Sequence, residues 1–280
     1  MLPSENKYLT NVSFDTVIFG FTGEELKILV LEYQNTGLFA LPGGYIRRDE
    51  NLLDAAKKGI MRRTGLKTIH LEQFHTFGKL NRSNPEPSKR IAKGLGYEMP
   101  DDHWVLDRFI TVGYYSLINY NQVRPTPNKF SDSINWYSIN NLPPLMMDHE
   151  EIVKKALEAI RTDLGKKPIG TNLLPEKFTM KELRKVYEAI LDKKLRRTTF
   201  QRKILSMDIL IRHEKLYTGA ANKAPYLYSY NKEKMGKSWF LAIFVEKSGK
   251  KLPQKSEEIG FGRKKVEKLF QFFLWKVGKY

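Results

Sequence analysis

Residues 196–203 read RRTTFQRK. Arg196, Arg197, Thr198, Thr199, Gln201, Arg202 and Lys203 are side-chain types that bond phosphate oxygens and base edges. They open a helix: TTFQRKILSM places Phe200, Ile204 and Met207 at i, i+4 and i+7, so that face belongs to a core. The opposite face carries Thr198, Thr199 and Arg202, flanked by Gln201 and Lys203, with Arg196 and Arg197 at or just before the N-terminus. The free N–H groups and the dipole of a helix start favour phosphate. The chemistry on offer is recognition of a nucleic acid, not bond breaking. A plain amphipathic helix with a solvated face has the same composition, so the neighbouring elements decide between the two.

Those neighbours come in a telling order. In FTMKELRKVYEAIL, Thr179 followed by Glu182 reads as a capping box, and Leu183, Val186, Tyr187, Ile190 and Leu191 recur at helical spacing. The turn DKKLRR leads to the basic helix. DILIRHEKLY and APYLYSYN then read as strands joined by TGAANK. Two helices across a short turn followed by a hairpin is the order of a winged helix-turn-helix. Charge agrees. Residues 1–165 hold 20 Lys+Arg and 20 Asp+Glu, whereas residues 166–280 hold 28 and 11, so the whole net charge of +17 lies in the second part. A neutral domain joined to one that meets a polyanion is expected, with duplex DNA as partner and single-stranded RNA as the alternative.

The first part is organised differently. FDTVIFGF (14–21) and LKILVLEY (26–33) are strand-like runs about the turn TGEE. Residues 41–66, LPGGYIRRDENLLDAAKKGIMRRTGL, pass from a Gly-Gly turn to Glu50 and a helix over 50–64, with Leu53, Ala56, Ile60 and Met61 on one face. Residues 66–78 and 108–118 are again strand-like. Residues 81–107 are Pro/Gly/Ser-rich and read as a surface loop. A further strand, a Pro-Pro turn and a helix close the domain, and the mixed order argues for an α/β sandwich. The predicted division is a sensing domain at 1–164, a connector at 165–175, a winged helix at 176–234 and a basic extension at 235–280. In that extension RKKVEKLFQFFLWKV suits an amphipathic helix, used for dimerisation or for core packing.

Composition narrows the function. With 280 residues, 41% of them hydrophobic and 12% aromatic, the chain can build two folded domains. The absence of cysteine excludes thiol catalysis, zinc–thiolate sites and disulfides, and fits a reducing compartment. MLPSENKYLTN has no basic n-region ahead of an apolar run. The longest apolar run, WFLAIFV (239–245), is far short of the ~20 residues that cross a bilayer. A cytoplasmic protein without membrane contact is expected. No His/Asp/Glu cluster has metal-ligand spacing, so neither metal nor cofactor is expected, and His70 and His75 read as ordinary buried or edge residues.

GYIRRDENLLDAAKKGIMRRTGL resembles the Nudix box. Gly44, Glu50, Ile60, Gly65 and Leu66 fall on its pattern, Lys58 stands in place of its arginine, and Gly59, Arg62 and Arg63 stand where three glutamates belong. In that family the glutamates hold Mg²⁺ or Mn²⁺, which neutralises a diphosphate and activates water. Guanidinium groups put fixed positive charge where the cation would sit, so the resemblance implies a catalytically silent domain and no enzyme.

FDTVIFGF, LPGGYIRRDE, the DHEE segment, GTNLLPEKFTMKELRKVYEAI and TTFQRKILSMDIL together resemble the Nudix-related transcriptional regulators, nearly the whole way to residue 230. The resemblance is greatest to the sugar-responsive branch, which binds arabinose and controls sugar utilisation; other branches sense ADP-ribose. It implies an α/β Nudix-like sandwich followed by a C-terminal winged helix-turn-helix domain. The protein would be a repressor or activator that binds a palindromic operator as a homodimer and holds a small-molecule effector in the former substrate pocket. Asp15, Tyr45, Arg47, Arg108, Tyr114 and Asp148 are the candidates to line that pocket, since a sugar site needs polar groups between aromatic walls. The alternative is an active hydrolase of ADP-ribose-like compounds that draws carboxylates from Glu72, Asp101, Asp102 or Asp107.

Overall fold

The strand-like run FDTVIFGF becomes part of the central strand of the N-terminal domain. The computed structural model describes residues 4–127, 131–164, 172–217, 224–231 and 233–234. The tip of the predicted wing (218–223), most of the connector (165–171) and the extension at 235–280 lie outside the described residues. Strand β1 spans Tyr8–Phe21, longer than its apolar run, because its first half pairs with β4 (Gly43–Arg47), the strand of the Gly-Gly turn. Its second half pairs antiparallel with β2 (Leu26–Tyr33). Val12–Gly20 lie parallel beside β6 (Ile110–Ile118). β3 (Leu38–Ala40) and β7 (Ser131–Ser138) border β2, and β5 (Glu72–Phe77) borders β6. The path is β3-β2-β1-β6-β5, seven strands with β4 and β7. Of the strand-like stretch 66–78, only Glu72–Phe77 pairs.

Period 2 along β1 sends neighbouring side chains to opposite helices. Phe14 packs with Ala55 and Ala56 of α1 (Leu52–Thr64), and Ile18 clusters with Ile60. Val17, Phe19 and Phe21 cluster with Ile152, Ala156 and Ile160 of α3 (His149–Asp163). Each fully buried aliphatic side chain contributes roughly 1.5–3 kcal/mol. Leu53 departs from expectation: it sits in the first turn of α1 and is 39% exposed, while Ala55, Ala56, Ile60 and Thr64 are the buried residues.

Residues 81–107 are not a bare loop. They contain α2 (Pro85–Gly94) and a 3-10 turn at Trp104–Leu106, with another at Leu80–Arg82 just before. Asn84 caps α2 by accepting a hydrogen bond from Glu86 N at 3.0 Å, and Pro85 takes the first position, where a missing N–H costs nothing. Arg82, Ala92 and Trp104 are buried, so the segment is a wall of the domain.

The basic part folds as ordered above, with one strand added. β8 (Phe178–Thr179) precedes α4 (Met180–Leu191), and the sheet order is β8-β10-β9, where β9 is Leu210–Lys215 and β10 is Tyr226–Tyr230. Thr179 Oγ1 accepts from Glu182 N at 3.2 Å while Glu182 Oε2 accepts from Thr179 N at 2.7 Å, a complete capping box. α4 stops at Asp192, whose φ of 52° is left-handed. Beyond it the Glu188 carboxylate accepts from Leu195 N at 2.7 Å and from Arg184 at 3.1 Å, which fixes the turn into α5 (Arg197–Ser206). Tyr187 meets Phe200 edge to face at 5.2 Å. Arg161, at the far end of α3, donates to Ile190 O at 2.8 Å and so ties α3 to α4. Among the described residues no helix is long and apolar enough to cross a membrane.

Candidate anion cleft and nucleic-acid interface

The cleft lies where the glycines of β4 pair with β1. Gly43 lies opposite Asp15, and a Cβ there would fall onto the Asp15 carboxylate and 2.6 Å from Phe14 O, so only glycine fits. Gly44 and Gly59 both abut the Phe14 ring, at 3.1 and 3.2 Å from where a Cβ would sit. Two adjoining cavities of about 580 and 610 Å³ open between β4, α1 and the 81–107 segment. Tyr8, Tyr45, Arg62 and Arg63 line both. The outer one adds Arg47, Glu50 and Lys58, and the inner one adds Asp15, Arg82 and His149.

A buried polar cluster forms the inner floor. Arg82, with a side chain only 3% exposed, binds Asp148 through two bonds of 2.9 and 3.1 Å, donates to Phe109 O at 2.9 Å and lies 3.7 Å from Asp15. Asp15 accepts from Thr111 Oγ1 at 2.8 Å. His149 Nδ1 accepts from Leu41 N at 2.9 Å, which leaves the proton on Nε2, 3.8 Å from Asp15. Aromatic rings make the wall: Tyr45 contacts Trp104 at 4.9 Å, Phe109 at 5.4 Å and Tyr8 at 6.1 Å. Burial pushes the Tyr45 hydroxyl far above its usual pKa, so it stays a hydrogen-bond donor.

A divalent cation does not fit the residues present. Gly59 supplies no ligand, and the Phe14 ring packs against its face. Arg62 and Arg63 are cations, and Glu50 is engaged by Lys58 at 3.2 Å and by Arg47 N at 3.0 Å. Of the alternative carboxylates only Asp107 lines the cleft; Asp101 pairs with Lys89, Glu72 with His70, and Asp102 is exposed. Among the described residues no group of three or more His, Asp or Glu could hold a metal ion.

The six predicted pocket residues separate. Asp15 and Tyr45 line the cleft, and Arg47 lines its outer part while paired with Asp49 at 2.9 Å. Asp148 reaches it through Arg82. Arg108 and Tyr114 do not belong. Arg108 is exposed and donates to Gly78 O at 3.3 Å. Tyr114 is 4% exposed in the core beside Phe14, because β6 turns Thr111 rather than Tyr114 toward Asp15. The sequence reading missed Tyr8, Tyr33, Arg82 and His149 as lining residues. It took Arg62 and Arg63 only as lost ligands.

On α5, Arg196, Arg197, Thr198, Thr199, Arg202 and Lys203 are exposed and Gln201 is half-buried, while Phe200 and Ile204 are buried. Arg196 occupies the N-cap without a side-chain capping bond, so the first-turn N–H groups stay open. On the hairpin, Arg212 and Lys215 sit over the Tyr226 ring at 4.7 and 5.5 Å, two further cations of the basic domain outside the predicted set.

Comparisons with known proteins agree with this architecture. A family profile described as the NrtR DNA-binding winged helix domain matches residues 170–230. The ADPR responsive transcriptional repressor NtrR of Acinetobacter baylyi is 25% identical over 206 residues, covering 71% of this chain and 74% of its own. The crystal structure of Shewanella oneidensis NrtR superposes with a TM-score of 0.62 at 24% identity, covering 81% of this chain and 96% of that one. Its complex with a 27mer DNA gives 0.61 at 22% identity, over 80% and 95%. The fold is therefore a Nudix-like α/β domain with a C-terminal winged helix domain. The arabinose-responsive assignment finds no support in these relatives; the Acinetobacter protein is named for ADPR.

Proposed function

We propose that this chain is a transcriptional repressor of the NrtR type, with a winged helix that binds duplex operator DNA and an N-terminal cleft that receives ADP-ribose or a close chemical relative. The observation that carries it is the exposed cationic and hydroxyl face of α5, inside the segment that matches a DNA-binding winged helix profile. Arg196, Arg197, Thr198, Thr199, Gln201, Arg202 and Lys203 are the proposed contacts, joined by Arg212 and Lys215. Asp15, Tyr45 and Arg47 are the proposed effector contacts, with Asp148 acting through Arg82. The effector reading draws on the name of the Acinetobacter relative. Two adjoining cavities also suit an elongated ligand better than a single pentose. Catalytic silence follows from the cationic residues at the carboxylate positions, and a homodimer would place two α5 helices on a palindrome.

An operator selected from random duplexes, followed by fluorescence anisotropy, tests the reading. Tight binding in low salt should weaken steeply as salt rises. ADP-ribose should release the operator and arabinose should not. Release by arabinose alone would return the protein to the sugar-responsive branch. Turnover of ADP-ribose with Mg²⁺ would make it a hydrolase, and RNA outcompeting duplex DNA would sink the operator.

A further inference from the structure

We infer that Arg62 and Arg63 form a metal-free clamp for the diphosphate of the effector, two guanidinium groups doing what a divalent cation does in a carboxylate-bearing cleft. The inference rests on the reading of the cleft as a nucleotide-type effector site. Both arginines line both cavities. Arg63 Nη2 donates to Gly43 O at 3.4 Å, but its Nη1 is buried and has no hydrogen-bond partner. Arg62 spends only Nε, on Lys58 O at 3.2 Å.

Three of the carboxylates that line the cavities are committed elsewhere, and Asp107, which lines the inner one, makes no ion pair with either arginine among the described residues. Glu50 holds Lys58, Asp49 holds Arg47, and Asp15 holds Thr111 and faces Arg82. Arginines in the last turn of a helix gain from its dipole, which accounts for charge there. It does not account for a buried N–H without an acceptor, which costs free energy until something supplies one. The proton cannot leave at neutral pH. Burial pushes the Arg63 guanidinium below its usual pKa, and the charge of Arg62 adds to that. A dianion relieves both. A diphosphate has two phosphoryl groups, each matched to the fork of one guanidinium.

Titration calorimetry of the full chain with inorganic pyrophosphate and with ADP-ribose, in EDTA and in Mg²⁺, tests the clamp. Both should bind in EDTA, and Mg²⁺ should strengthen neither; it lowers the apparent affinity for pyrophosphate only by complexing the free anion. Arg63→Met should weaken both by at least about tenfold, Arg62→Met likewise, and Arg63→Lys less, since a point charge keeps attraction but loses the fork. Binding that appears only with Mg²⁺ overturns the clamp on the wild-type protein alone, whatever the variants do to folding. An Arg63→Met protein that melts like its parent and binds ADP-ribose unchanged overturns it too. The two readings fail separately. ADP-ribose bound through Arg63 in EDTA but without effect on operator binding removes the effector and keeps the clamp. Release of operator that is indifferent to both arginines removes the clamp and keeps the regulator.

Discussion

Arg82→Met tests how the cleft is held together. The native side chain makes two bonds to Asp148, one to Phe109 O, and faces Asp15, with about a tenth of either carboxylate side chain in solvent. Removing one partner of a desolvated pair leaves buried charge uncompensated and costs about 3–5 kcal/mol. For a chain of this size that is a fall in melting temperature of roughly 6–20 °C. Urea denaturation of the full chain, followed by tryptophan fluorescence, measures it as a lower midpoint at unchanged slope. Arg82→Met/Asp148→Leu should recover the part of the loss that belongs to Asp148, because an apolar pair of similar volume avoids the desolvation cost, while Asp15 still lacks the charge that faced it. Lys89→Ala, at the exposed pair with Asp101, should leave the midpoint where it was. If Arg82→Met behaves like Lys89→Ala, the pair is not desolvated and the argument for a built floor fails. Because Arg82 also anchors the 81–107 segment to the start of α3, the variant should bind ADP-ribose more weakly even at temperatures where it is folded.

On α5, Arg202→Ala should narrow the gap between operator and random duplex by about 1–3 kcal/mol, whereas Lys203→Ala should weaken both alike; anisotropy with the two duplexes reads the difference. Thr179→Ala removes the capping box and should destabilise the chain by about 1 kcal/mol, seen as a shifted urea midpoint. Burial pushes the Tyr187 hydroxyl up to about 12. Below pH 10 both states keep that proton and pH has no effect through it. Above pH 10 the unfolded chain loses the proton first, so stability should fall by roughly 2 kcal/mol by pH 12. Tyr187→Phe should flatten that part of the melting profile, and an unchanged slope would show that Tyr187 is not buried in solution.

Local order was legible because it obeys short periods. The β-rich runs FDTVIFGF and LKILVLEY, the helical rows of α4 and α5 and the Thr179–Glu182 cap need only residues a few positions apart, and the partition of charge needs only a count along the chain. Asn84-Pro85 carried an equally local helix start, and the Pro/Ser content around it hid α2. β8 pairs only two residues, too few for any pattern, and exists because β10 offers it an edge.

The site belongs to another scale. Arg82 meets Asp148 across 66 positions and Thr111 meets Asp15 across 96, and no spacing rule reaches that far. Tyr114 and Tyr45 are the same residue type, yet one fills a core and the other lines the cleft, according to which face of its strand meets a helix. From the chain by itself came the two-part architecture, the basic winged helix and the loss of carboxylates from the Nudix-like helix. Only the folded chain decided that one of the arginines left there keeps a buried Nη1 without an acceptor, because burial is a property of packing between distant segments.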